Sequence, residues 1–364
     1  MLDRILAERA LLPILTTDAG RAVTPALWRE RRAELLRALE TYSYGVTPPP
    51  ASVCAGITRD DPRVCAGKVR EQRVTLTFDT PSGPFRLPFA LFVPQERACP
   101  PVFLHIAFRH DIPDRYVPLE EITDAGFALA VVCYTDIVND NLHGDFSDGL
   151  ALAFGTDCAR SRTEWGKIGM WAYGASRVLD YLLMRRDLDA AHTAVIGHSR
   201  LGKTALWAAA QDERFACAIS NDSGYGGAAT SKHGEGERVR DFQRAGSWDW
   251  FCENFQDYTD ALEDEKPYDQ SFLLALIAPR LLCVGSAELD SGADPSSEFL
   301  TSLWASPAWE LLGARGLVCP DRMPVPGDHF HEGCIGYHLR RHAHFLSRED
   351  WNLYIRFLRE KWAV

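Results

Sequence analysis

The chain has no stretch of about 18 consecutive apolar residues, so nothing in it reads as a membrane-spanning helix. It has no Lys/Arg-rich run either. Its 39 basic residues are outnumbered by 50 acidic ones, and a net charge of −11 argues against a nucleic-acid partner. Ten cysteines are present without one Cys-x-x-Cys pair. Cys133 and Cys283 lie inside apolar runs, the usage of small buried hydrophobes in a reducing compartment rather than of a disulfide framework. The first residues, Met1-Leu2-Asp3-Arg4-Ile5-Leu6-Ala7-Glu8-Arg9, are charged and lack the apolar core of a leader, so the chain taken as full length reads as cytoplasmic, and as secreted if a leader has been trimmed from it. Internal repeats and low-complexity tracts are also missing. These absences leave an acidic protein of 364 residues, one large domain or two small ones, suited to a small-molecule or glycan ligand.

What is present is pattern. Residues 1–45 read as helical, with Thr24-Pro25 as a start signal and Leu27, Leu35, Leu36 and Leu39 on one face; Gly45 and Pro48-Pro49-Pro50 end it. Residues 69–94 alternate as an antiparallel hairpin around Pro81-Ser82-Gly83-Pro84. Apolar runs at 101–108, 127–134, 193–196, 215–220, 280–286 and 316–319 follow, with helical patterns between them, among them 165–183 and 351–361. Continuous apolar runs alternating with helices imply a mostly parallel sheet covered on both faces. A leading hairpin makes this the α/β-hydrolase plan, a three-layer αβα sandwich. The expected organisation is a helical appendage over residues 1–50 on a catalytic domain over 51–364. A cap over the site is expected at about 225–270, carrying Trp248, Trp250, Phe251, Phe255 and Tyr258.

The most specific local motif is Gly197-His198-Ser199-Arg200-Leu201-Gly202-Lys203. It follows the apolar Ala194-Val195-Ile196 and opens into a helix-forming stretch from Thr204 to Ala210. Strand, Gly-x-Ser-x-x-Gly, helix is a variant of the nucleophile elbow, a crowded turn that lifts a serine hydroxyl above the sheet edge. Gly197 and Gly202 provide the small residues, although the usual second glycine position is Leu201 here. The plainer alternative for Ser199 is a helix N-cap. The segment also satisfies Gly-x4-Gly-Lys-Thr, a phosphate-loop spacing. His198, Arg200 and Leu201 are bulky where a phosphate needs close backbone approach, and Asp136 is the sole aspartate ending an apolar strand that could serve a bound metal.

A serine nucleophile needs a base, and the base needs an acid to hold its tautomer. In this plan they follow in the order Ser, acid, His. With the last strand ending near Cys319, the base falls in the cluster at 329–344, and the loop before the final helix holds His342 and His344. Ser347, followed by Glu349-Asp350, caps that helix. Acid candidates are Asp222 after one strand, then Glu288, Asp290 and Asp294 after the next; the location after the penultimate strand favours Asp290 or Glu288. His329-x-His331 with Glu332 matches no common zinc spacing, so no metal is expected.

Several segments, in order, resemble the glucuronoyl esterases of carbohydrate esterase family 15. They are the elbow itself, Ser220-Asn221-Asp222-Ser223-Gly224-Tyr225-Gly226-Gly227, then Leu273 through Arg280 with Ser286-Ala287-Glu288-Leu289-Asp290, and Ile335-Gly336-Tyr337-His338 with His344-Phe345-Leu346. The resemblance implies Ser199 as nucleophile and His344 as base, with His342 as the fallback. Arg200 would support the oxyanion, and Lys203, one helical turn on, would reach sugar hydroxyls or the uronate. Asp222 and Asp290 occupy the family's two alternative acid positions. Asp290 is favoured, because relatives often carry glutamate at the first. Trp250 and Glu253 of the cap are further substrate-binding candidates. Gly292 stands where the family often has a sugar-contacting tryptophan, which Trp248 or Trp250 would have to replace. The implied activity is hydrolysis of alkyl or aryl esters of glucuronic acid, without a cofactor, on a small-molecule or oligosaccharide ester. A sugar O-deacetylase and a non-catalytic glycan-binding homologue are the alternatives.

Overall fold

The computed structural model describes residues 1–155 and 160–363. Ten strands form one sheet: β1 Val53–Val64, β2 Val69–Thr80, β3 Gly83–Pro94, β4 Pro101–Ala107, β5 Ala128–Cys133, β6 Asp189–His198, β7 Cys217–Asn221, β8 Leu281–Ala287, β9 His329–Phe330 and β10 Ile335–Arg340. Their spatial order is β1-β2-β3-β5-β4-β6-β7-β8-β10-β9. The run β5-β4-β6-β7-β8-β10 is parallel, and the antiparallel meander β1-β2-β3 joins it at β5. The helices are α1 Leu2–Arg9, α2 Trp28–Leu39, α3 Leu119–Asp124, α4 Gly149–Ala153, α5 Lys167–Met184, α6 Arg200–Gln211, α7 Val239–Ala245, α8 Gln270–Ala275, α9 Pro295–Leu311 and α10 Arg348–Trp362. This is the α/β-hydrolase fold.

The strand periodicity divides the core in two. On β4, Val102, Leu104 and Ile106 join one cluster with residues of α2, α5, α6, α8 and α9. Phe103 and Ala107 face the other way, into a smaller cluster with residues of α3 and α10. β5 splits likewise, Ala128, Ala130 and Val132 against Leu129 and Val131. Because both faces are covered, the parallel strands carry continuous apolar runs, and this made them legible.

Two expectations about the strands need correcting. The run at 316–319 is not a strand of the sheet; Leu317 makes a single bridge to Ile335. The strand beside β8 is β10, whose Ile335, Gly336, Tyr337 and His338 carry too many polar or small residues to read as an apolar run. β1 was also missed. Most of its residues are exposed, including Arg59, Asp60 and Arg63, so no alternation marks it.

Residues 1–45 are helical in pieces. α1 stands apart, a 3-10 turn Pro25–Leu27 leads into α2, and a π turn Glu40–Tyr44 follows it. Gly45 ends the helix at φ +83, and a Cβ there would lie 2.4 Å from the Trp165 Cα. Leu2, Leu6, Leu35, Leu39 and Tyr44 belong to the same cluster as the sheet residues of β4 and β5. All nine cysteines of the described residues are free, and Cys158 lies outside them.

Because α2 shares the main core, Leu35→Ala, at a fully buried position, should cost about 2–5 kcal/mol. Denaturant unfolding should show one transition displaced as a whole. A separate early transition for the N-terminal helices would mean instead that they melt as an appendage.

Candidate active site

The candidate residues follow the carboxyl ends of neighbouring strands. Ser199 follows β6, Asp222 follows β7, Asp290 lies three residues beyond β8, and His344 four beyond β10. Open α/β sheets gather their chemistry at this edge.

Ser199 sits at φ +57, ψ −130, outside the regions an L residue favours. Its neighbours hold it there. Its N–H donates to the Asn221 carbonyl at 2.9 Å, and its own carbonyl accepts from Gly202 at 2.8 Å and Lys203 at 3.2 Å. The turn is as tight as the motif demanded. A Cβ on Gly197 would fall 2.0 Å from the Leu201 carbonyl oxygen, whereas one on Gly202 would meet nothing closer than 3.1 Å. Gly197 is therefore obligatory and Gly202 only tight.

His344 is 44 % exposed, and its Nδ1 lies 2.5 Å from Oδ2 of Asp290. Its ring packs on that of His198 at 4.4 Å. His198 is buried and bonded to Asn221 at 2.7 Å. Burial and the neighbouring His344 push its pKa down to about 3, so it stays a neutral platform. Burial pushes the Asp290 carboxyl up, but the hydrogen bond and charge of His344 outweigh it and leave the group below its ordinary value. Asp222 goes the other way: burial raises it well above the carboxylate range, Arg340 opposing. Its Oδ2 accepts from Arg340 at 2.9 Å and from the Phe345 N–H at 3.2 Å. Asp222 thus holds the backbone beside His344, while Asp290 meets the imidazole. Glu288 shows no such contact; its N–H donates to the Arg340 carbonyl. Neither does His342, an exposed residue at φ +75 whose carbonyl accepts from Leu289.

Arg340, which sequence reasoning passed over, organises this loop. Its Nε donates to Asp350 at 2.8 Å and Nη2 to Asp222 and the Phe345 carbonyl. Nη1 donates to the carbonyls of Arg341 at 3.0 Å and Ala343 at 2.9 Å. Asp350 is also the capping-box partner of Ser347 at the start of α10. That cap was legible in the sequence; the charge it answers was not.

On the other side of Ser199, the Arg200 guanidinium lies over Trp250, 4.6 Å from the ring centroid, and donates to Asp140. Asp140 also accepts from Trp250 Nε1 at 2.6 Å. The Nε of Arg200 is buried without a partner among the described residues, a donor left free. Asp140 stands in the loop after β5, and no motif marked it.

Three expectations about substrate contacts change. Lys203 is 3 % exposed, and its ammonium donates to the Ser223 carbonyl at 2.5 Å, the Tyr225 carbonyl at 2.7 Å and Glu237 at 3.1 Å. An ammonium has three donors, so none remains for a sugar; Lys203 holds the loop after β7. Trp250 is 8 % exposed and covered by Arg200, so its ring is no replacement for the missing tryptophan. Glu253 is an exposed carboxylate 4.0 Å from Arg162 and is not brought to the Ser199–His344 group. Position 292 is open; a Cβ on Gly292 would meet only Asp290, at 3.7 Å. The phosphate-loop spacing is likewise accounted for by α6, with Asp136 paired to His110 at 2.9 Å.

A strained serine at a strand–helix turn, with a carboxylate-bonded histidine above the same sheet edge, defines a serine hydrolase of the α/β type. The family model described as "Glucuronyl esterase, fungi" matches residues 157–313. A prokaryotic protein named carbohydrate esterase MZ0003 is 32 % identical over 95 % of this chain and 88 % of its own length. The structure of a CE15 glucuronoyl esterase from Teredinibacter turnerae superposes with a TM-score of 0.88 at 28 % identity, covering 98 % of this chain and 90 % of that one. A 4-O-methyl-glucuronoyl methylesterase of Cerrena unicolor is 29 % identical over 80 % of this chain and 59 % of its own. The structure of a CE15 esterase from a marine bacterial metagenome also matches, at 32 % identity and a TM-score of 0.86 over 96 % of each chain, so the chain belongs to carbohydrate esterase family 15, the glucuronoyl esterases, and is a carboxylic ester hydrolase.

The loop after β7 rests on a second buried acid. Glu298 of α9 accepts from the Ser223 N–H at 2.9 Å, the Gly224 N–H at 3.0 Å and the Ser286 hydroxyl at 2.6 Å. Burial pushes its pKa up from 4.5 to about 7. The folded state then holds this proton more tightly than the unfolded chain, so stability is lost as pH rises from 4.5 to about 7. Glu298→Gln, neutral and of the same shape, should melt higher than the parent above pH 7 and show a flatter profile below it. An unchanged slope in melting temperature against pH would assign that titration elsewhere.

Proposed function

We propose that the protein hydrolyses esters of a glucuronic acid through Ser199, His344 and Asp290. The observation that carries this is the 2.5 Å contact between Asp290 and His344 Nδ1, at the edge where the elbow presents Ser199. With Nδ1 engaged, Nε2 is the nitrogen left to take a proton. His344 removes the Ser199 proton as Oγ attacks the ester carbonyl carbon. The negative charge that develops on the carbonyl oxygen falls to the Arg200 backbone N–H, at the head of α6, and to the unpartnered Arg200 Nε. His344 then protonates the departing alcohol, leaving the uronoyl group on Ser199. Water, deprotonated by His344, attacks this acyl-enzyme; the bond to Oγ breaks, His344 returns the proton to Ser199, and the acid is released. Asp290 holds the imidazole tautomer and offsets the imidazolium charge in each half. Asp222, raised and committed to Arg340 and Phe345, keeps the loop in place.

The choice of uronate over acetyl ester rests on the family, whose members include a glucuronoyl esterase and a 4-O-methyl-glucuronoyl methylesterase. Hydrolysis of benzyl glucuronate beside an acetylated xyloside tests it. Cleavage of the glucuronate should disappear in Ser199→Ala, and Asp290→Asn should lower kcat by about 10⁴ through the wrong tautomer. Asp222→Asn should lose less, with a change in stability. Cleavage of the acetyl ester alone would keep the triad and remove the uronate. An Asp222→Asn loss equal to that of Asp290→Asn would place both acids on the imidazole.

A further inference from the structure

Below the catalytic edge, three soft or borderline metal ligands converge in the core. The Cys283 Sγ and one ring nitrogen each of His331 and His338 lie within 4.8 Å of one another, and all three residues are buried. Both nitrogens of His331, and Nδ1 of His338, are buried without a hydrogen-bond partner among the described residues. His331 is 5 % exposed and His338 fully buried. Buried imidazole nitrogens facing a thiol with nothing to bond are costly, and the cluster needs a reason to exist.

The register supplies the space. Cys283 on β8 lies opposite Gly336 on β10, and His338 opposite Gly285. A Cβ on Gly336 would sit 3.0 Å from the Cys283 Sγ, and one on Gly285 would sit 2.6 Å from the His338 Nε2. His331 comes from the turn between β9 and β10, its ring 6.0 Å from that of His338 and 5.2 Å from Phe357 of α10. His338 is also oriented as a metal ligand would be. Its Nε2 donates to Asp350 at 2.9 Å, which leaves the Nδ1 lone pair directed away from the acid. A carboxylate on the far nitrogen is the usual outer partner of a metal-bound histidine.

We propose that Cys283, His331 and His338 bind a d¹⁰ cation that favours thiolate and imidazole, Zn(II) or Cu(I). On binding, the thiol releases its proton to solvent, the thiolate forms the metal–sulfur bond, and the two neutral imidazoles donate nitrogen lone pairs. No electron changes hands. Three protein ligands suffice for trigonal Cu(I); Zn(II) would add one water. Ligand atoms around such an ion stand roughly 3.3–3.8 Å apart, so the side chains need close by no more than about 1.5 Å. The ion is structural, and its influence runs through His338 and Asp350 to Arg340, whose donors hold the loop around His344. The individual ligands stand 48 and 7 residues apart in the chain, so no spacing motif announces them.

The test is elemental analysis of the full chain, grown with added zinc or with copper under reducing conditions and desalted to remove loosely held ions. The wild type should retain close to one ion per chain, and Cys283→Ala and His331→Phe should retain none. The identity of the retained metal decides between zinc and copper. His331→Phe fills the site with an aromatic ring, so it should fold without metal, and its melting temperature should ignore a strong chelator that lowers that of the wild type. Protein grown with cobalt should show a thiolate-to-Co(II) charge-transfer band that Cys283→Ala lacks. Metal content in the wild type no higher than in the two variants, or a cobalt band that persists in Cys283→Ala, would overturn the proposal.

Discussion

Five N–H donors on one buried guanidinium hold the working parts of this protein together. Arg340 gives one donor to Asp350, one to Asp222 and three to the carbonyls of Arg341, Ala343 and Phe345. The carbonyls alternate along the loop that carries His344, so the guanidinium grips the chain on either side of the base. Replacing it would leave two buried carboxylates without their cation and three carbonyls without a donor, an imbalance far more costly than the loss of a surface pair. His344 itself is nearly half exposed, and its placement comes from beneath, from charge in the core, rather than from being enclosed.

The same logic sorts the acids. Asp290 and Asp222 lie close together at one sheet edge, yet their environments drive their ionisation apart, down for the one bonded to His344 and up for the buried one. Two carboxylates with opposed shifts are a common way for one site to divide its labour. On the far side of the serine, Asp140 does for Arg200 what Asp222 does for the histidine loop. It ties the guanidinium to Trp250, so the residue after the nucleophile is braced by a carboxylate and an aromatic face while its buried Nε stays uncommitted.

Much of this could be read from the chain. The parallel strands announce themselves as apolar runs because both faces are buried, and the elbow because only Gly197 fits where the turn nearly touches Leu201. The final helix is announced by Ser347 and Asp350. The failures have physical causes too. β10 is lined by Gly336, His338 and Arg340, residues chosen for room and charge rather than hydrophobicity, so its place in the sheet was assigned to the apolar 316–319 instead. Lys203 and Trp250 were expected to meet substrate, but whether a polar group meets substrate or its own loop depends on which carbonyls fold back toward it. Asp140 and Glu298 act on partners 60 and 75 residues away, and no local pattern encodes such a pairing.

The strand that escaped notice has a consequence of its own. β1 closes one end of the sheet with twelve residues, two register breaks, a proline at Pro62 and a row of exposed charges. The opposite end is closed by β9, only two residues long. A sheet is open to recruitment by another chain wherever a long, flat, uncharged rim is left, and neither rim here qualifies. Two molecules meeting edge to edge offer each other register breaks, a proline and charges of both signs instead of a flat template. Each rim therefore works against the addition of a further strand, so the sheet ends where its own chain ends it.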